Sequence, residues 1–146
     1  MAPTWEVLLG ELPDALVLIG IILIGLWVSN IVYDRGVPQY VSRKIGHGAG
    51  GMCFMLAPFL FSTAWWPIFL STAFTVVLVL ARLLRPVTFR GVGGNGRSED
   101  SFAEIVFAAV AVPVYIIGWL WLSQPFLVAA ALLFMAWGDG VTGLVR

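Results

Sequence analysis

Five apolar runs, each close to the length that crosses a bilayer, take up nearly all of this 146-residue chain. They cover 12–32, 45–64, 66–84, 102–122 and 125–145. A helix needs roughly 20 apolar residues to span the hydrocarbon layer, so each run is predicted as a membrane helix. The expected fold is an all-α polytopic bundle of about five spans. It forms one integral membrane domain over 1–146, with no room for a separate extramembrane domain. The composition agrees: 60% of the residues are hydrophobic and only 11% charged, at a mean hydropathy of +0.97, which excludes an ordinary soluble globular domain. The first run is too long for a signal-peptide core. It follows Glu6 and Glu11 with no Lys or Arg before it, so it is expected to stay as an anchor.

Charge then sets an orientation. The eight basic and eight acidic residues cancel, and no dense Lys/Arg run is present, which argues against nucleic acid as a partner. All eight basic residues fall on one side of the expected bundle. They lie in loops 34–44 and 85–101, at Arg82 and at Arg146. The positive-inside rule makes that side cytoplasmic, with the N-terminus outside and the C-terminus inside. Trp5, Trp65, Trp66, Trp119 and Trp121 map to the opposite ends of the helices, as an interfacial aromatic belt would. The compact loops lean towards a bacterial or archaeal plasma membrane. Cys53 has no second cysteine to pair with, so neither an intrachain disulfide nor a thiolate metal site can form.

Ionisable groups inside spanning helices are costly to desolvate and tend to mark partners or polar cavities. They gather at the expected cytoplasmic ends. Arg43, Lys44 and His47 start the second helix and share a face, continued by Gly50 and Gly51. As topology charges beside a Gly46–Gly50 packing pair they would be structural; a histidine of near-neutral pKa also suits proton transfer. Glu104 closes the S-x-x-E pattern begun by Ser101, a capping box or else the partner of a cation or metal. The glycine-rich segment 90–97, with Arg97, is either a solvated connector or an anion nest without a Walker lysine. Asp139 stands among Gly138, Gly140 and Gly143 in an otherwise apolar helix. It pairs with Arg82 or Lys44, or holds Mg²⁺, which typically takes one or two carboxylates plus substrate phosphates.

Three segments in order carry a resemblance: Ser42-Arg-Lys-Ile-Gly-His47, Arg97-Ser-Glu-Asp-Ser-Phe-Ala-Glu104 and Trp137-Gly-Asp-Gly-Val-Thr-Gly-Leu-Val-Arg146. Together they resemble the polyprenol kinase family, which includes dolichol and phytol kinases. The resemblance implies a membrane kinase that phosphorylates the hydroxyl of an isoprenoid alcohol, with CTP as donor and a divalent cation such as Mg²⁺. By motif position Arg43, Lys44 and His47 match the family's R-K-x-x-H element, Glu104 the acid opening its next polar helix, and Gly138, Asp139 and Gly143 its G-D-x-x-x-G element. The roles implied are Mg²⁺ for Asp139, phosphate binding for Arg43, Lys44, Arg97, Gly138, Gly140 and Gly143, and the base at the hydroxyl for His47, with Glu104 as its competitor. Ala103 stands where the family pattern has glycine. Family members continue past the G-D element into a lysine-containing loop and further helices. The expectation is therefore a C-terminally truncated member, with a homo-oligomer or a partner chain supplying the absent region. Membrane lipids are the expected surroundings.

Two other readings use the same residues. A CTP-dependent cytidylyltransferase acting on a lipid phosphate needs the same topology, cations and metal. A small transport or assembly subunit would instead place Asp139, Glu104 and His47 along a proton or cation path, and predicts polar residues at successive depths.

Overall fold

The computed structural model describes residues 4–84 and 102–142, without the side chains of Gln39 and of residues 102–104 and 139–142. The described part is all-α. The elements are α1 (Trp5–Gly10), α2 (Leu12–Asp34), α3 (Gln39–Leu60), α4 (Trp65–Leu84), α5 (Phe102–Tyr115) continued by a π-helical stretch (Ile116–Trp121), and α6 (Pro125–Thr142). No strand occurs among the described residues. Two helices, α2 and α4, are long and apolar enough to cross a membrane, and the rest of the chain leaves most of each uncovered.

The second helix starts earlier than its apolar run. Gly36, at φ +81, ends α2 in the left-handed backbone that glycine adopts without penalty, and Pro38 then starts α3. The Val41 and Ser42 amides donate to the Pro38 carbonyl at 2.9 and 3.4 Å. Residues 39–44, expected as loop, are therefore helical, and Arg43, Lys44 and His47 lie in the first three turns of α3. Polar side chains do not break a helix that has a start signal and no breaker, so hydropathy alone placed this boundary too late. At the other end α3 stops at Leu60, and Phe61 is extended.

Small residues make α3 the central helix. A methyl group at Gly25 of α2 would collide with the Ala49 side chain, and one at Gly51 would come within 2.7 Å of the Ala136 Cβ of α6. Backbones approach this closely only where side chains are almost absent. The close approaches therefore involve Ala49 and Gly51. Gly50 has only ordinary contact with Phe107, at 3.9 Å for an added Cβ. The two neighbours of α3 are thus α2 on one side and α6 on the other, while α4 packs on α5. The core joins α2, α3, α5 and α6 through Leu18, Phe54, Ala57, Phe61, Ala111, Tyr115 and Leu132.

A clasp joins the Trp-rich end. The buried Glu11 carboxylate accepts the Ser62 amide at 2.7 Å and the Ser62 hydroxyl at 2.6 Å on Oε1, and the Thr63 hydroxyl at 3.5 Å on Oε2. Beside it Trp66 Nε1 donates to the Leu8 carbonyl at 3.0 Å. The α1–α2 junction is thereby fastened to the start of α4. The outer faces of the helices carry Trp27, Phe59, Leu83, Phe126 and Phe134, all well exposed. A soluble monomer rarely leaves so much apolar surface to water.

Candidate functional site

The basic end of the bundle is built on the first three turns of α3. His47 is buried, and its ring stacks on Phe107 of α5 with centroids 5.5 Å apart and planes 25° apart. Arg43 and Lys44 are half-buried, and each, like His47, is held by at least one interaction. Arg82, in the last turn of α4, is half-buried and engaged in the same way. These cations are therefore part of the packed structure and not merely solvated ends.

Helix register brings the other sequence-predicted residues to this level. His47 of α3 meets Phe107 of α5, while Phe54, further along α3, meets Phe107 and also Tyr115, further along α5, at 5.3 and 6.2 Å between ring centroids, so α3 and α5 run parallel. With His47 opposite Phe107, residue 104 lies one turn earlier, level with Lys44. Against α6 the order reverses: Phe59 meets Phe126, and Gly51 meets Ala136 and Trp137. Continuing that antiparallel register by one turn sets the backbone of Asp139 level with His47. The helix positions of Arg43, Lys44, His47, Glu104 and Asp139 thus share one end of the bundle. The side chains of Glu104, Asp139 and Gly140 lie outside the described residues, as do Arg97, Gly143 and the Ser101 cap. Gly138 is exposed, with open space where a Cβ would stand.

Polar residues of α2 join this end, and the sequence reading passed over them. The buried Ser29 hydroxyl donates to the buried Ser42 carbonyl at 2.7 Å, one residue before Arg43. Asn30 and Tyr33 follow within the next turn, and both are engaged. Their signal was a cluster of polar side chains in the last third of an apolar run, where lipid offers them no partner.

Among the described residues no three His, Cys, Asp or Glu side chains gather as a metal site. Below the His47–Phe107 stack, towards the Trp-rich end, lies a partly open apolar cavity of about 40 Å³ bounded by α2, α3, α4 and α5. Phe107 belongs to both, as one wall of the cavity and as the stacking partner of His47. The arrangement offers cationic and imidazole chemistry directly above an apolar chamber. No family model, curated protein or solved structure matches the chain.

Proposed function

We propose that this chain is a CTP-dependent lipid kinase that phosphorylates the hydroxyl of an isoprenoid alcohol at the cytoplasmic face of a membrane. The observation that carries the reading is the convergence of three helix segments, 43–47, 104–107 and 136–139, at one end of the bundle, next to an apolar cavity. Each overlaps one of the motifs, 42–47, 97–104 and 137–146, that resemble the polyprenol kinases. A lipid alcohol keeps its chain among apolar walls and its hydroxyl at the interface, where a soluble polyanionic nucleotide can meet it.

In this reading the five helices from α2 to α6 span the bilayer, with the Trp-rich end outside and the basic end cytoplasmic. The exposed apolar outer faces support contact with lipid, and the placement of the eight basic residues supports that orientation. Arg43, Lys44 and Arg97 bind the phosphates of CTP, assisted by the small residues Gly138, Gly140 and Gly143. Asp139 supplies the carboxylate for Mg²⁺, a cation commonly held by one carboxylate together with substrate phosphates. The alcohol oxygen bonds to the γ-phosphorus while the bond to the β,γ-bridging oxygen breaks, and CDP leaves. His47 takes the hydroxyl proton, with Glu104 the competing base. Phosphoryl transfer asks little of the protein beyond in-line positioning and charge neutralisation, which fixed cations on packed helices provide.

The test is to incubate the purified chain in detergent micelles with labelled CTP, Mg²⁺ and a pool of isoprenoid alcohols, and to read both products. Lipid phosphate with CDP is the expected outcome. Pyrophosphate release would instead identify a cytidylyltransferase. No turnover, followed by activity when the C-terminal region of a polyprenol kinase is appended, would assign these residues the lipid-side part of a divided site. No turnover in either form would overturn the kinase reading. Orientation is checked with single cysteines at Gly36 and Ser123 in a Cys53→Ser background: an impermeant maleimide added outside intact cells should label the second and spare the first.

A further inference from the structure

The cavity below His47 is partly open and lined by residues of α2, α3, α4 and α5. Leu18 and Ile22 of α2 face Pro67 and Ser71 of α4 across it, with Ala57 of α3 and Ala108 of α5 completing the walls. Its lining is almost wholly carbon. Apolar cavities of this kind stay dry and accept apolar ligands. The helices α2 and α4 scarcely touch along their length, and the strong packing is α2 on α3 and α4 on α5. At the Trp-rich end they are tied by the Glu11–Ser62 and Trp66–Leu8 hydrogen bonds. What remains between them below that clasp is a seam.

We infer that this cavity is a side port for one hydrocarbon chain. It takes the few carbons next to the lipid's polar end, and the rest of the chain trails through the α2–α4 seam into the bilayer. The size sets the limit. About 40 Å³ holds a short stretch of a single chain and has no room for two side by side or for a whole long lipid. Because lipid tails are as apolar as the walls, selection here is by cross-section and not by hydrophobicity. The port therefore distinguishes one-chain from two-chain lipids and is indifferent to length. Ala57 and Ala108, both almost fully buried in the walls, set the width. The inference rests on the proposed reading only in placing the lipid's polar end at His47.

The experiment uses the full chain in phosphatidylcholine nanodiscs, without nucleotide, and a long-chain primary alcohol carrying a diazirine a few carbons from its hydroxyl. Cross-links are expected on the cavity walls of α3 and α5. Unlabelled single-chain alcohols of different lengths should compete with potencies within about twofold of one another, and diacylglycerol should not compete. Ala57→Phe, which fills the port, should lower labelling by roughly tenfold or more. Equal competition by diacylglycerol, a steep dependence on chain length, or cross-links confined to the outward faces of α2 and α4 would each overturn the inference. If Ala57→Phe does not fold, the competition series on the unaltered chain decides alone. Wall labelling with no lipid phosphate formed would leave the port standing and remove the kinase; lipid phosphate formed with labelling elsewhere would do the reverse.

Discussion

His47 and Phe107 lie face to face across the α3–α5 interface, 5.5 Å between ring centroids, and this one contact joins the basic end of the bundle to the apolar cavity. The stack holds the imidazole next to the apolar walls, the level at which the proposed kinase would present its lipid hydroxyl. His47→Gln should lower kcat by about 10² to 10⁴, the usual worth of a positioned general base, with little change in CTP affinity. Turnover in micelles and nucleotide binding measured separately check this. A loss confined to CTP affinity would make His47 a phosphate ligand and not a base.

A second expectation concerns the approach of α3 to α6. A Cβ on Gly51 would stand 2.7 Å from the Ala136 Cβ, and both groups are on packed helix backbone that cannot swing aside. Gly51→Ala should destabilise the bundle by about 1–3 kcal/mol, the range for overpacking. It should also reduce turnover by moving Asp139, three residues past the contact, away from its level beside His47. Ala136→Gly in the same chain should restore both. Thermal unfolding in detergent together with the activity assay gives the cycle, and additive losses in the double variant would show that the two residues do not share one gap.

Much of this arrangement is legible in the sequence, and what is not has definite causes. The apolar runs mark the helices because burial or lipid contact of 20-residue stretches outweighs any local preference. The first turns of α3 were less visible, since Tyr40 to Lys44 are too polar for a hydropathy signal and only Pro38 announces the helix. Of the glycines at 46–51, Gly51 makes a close approach to α6, whereas Gly50 of the expected Gly46–Gly50 pair has only ordinary contact with Phe107 and the approach to α2 is made by Ala49. Which of them touch a neighbour depends on crossing geometry that one sequence does not encode. Phe107 is one of ten phenylalanines and carries no mark that it will face His47. The clasp was hidden for another reason: Glu11 and Ser62 are 51 residues apart, and a lone acid before an apolar helix reads as an ordinary flanking charge.

The turn before α6 stores local strain. Ser123 has φ +54, in the left-handed region where an L side chain costs about 1–2 kcal/mol. It stands between the π-helical stretch and Pro125, where the Gln124 amide reaches back to the Gly118 carbonyl at 2.8 Å. Ser123 is exposed, so little packing is lost by trimming it. Ser123→Gly should therefore stabilise the protein, by up to about 1 kcal/mol after the added flexibility of the unfolded chain is subtracted. A raised melting temperature with unchanged turnover is the expected result; a lowered one would mean that the serine side chain itself holds the turn.

The clasp at the Trp-rich end allows a sharper comparison, because its geometry separates charge from hydrogen bonding. Both Ser62 donors go to Oε1 of Glu11, while Oε2 meets only the Thr63 hydroxyl. A glutamine can place its carbonyl oxygen where Oε1 stands and turn its amide towards the Thr63 oxygen, which then accepts. Glu11→Gln should thus keep the connections and lose only the charge-assisted part of their strength. Glu11→Ala leaves the Ser62 amide and hydroxyl without their acceptor and should cost about 2–3 kcal/mol. If the clasp also bounds the α2–α4 seam, Glu11→Ala should widen the port as well, so that diacylglycerol begins to compete for the photolabel while Glu11→Gln still excludes it. Equal melting temperatures for the two variants would show that charge, and not the hydrogen-bond pattern, holds this end together.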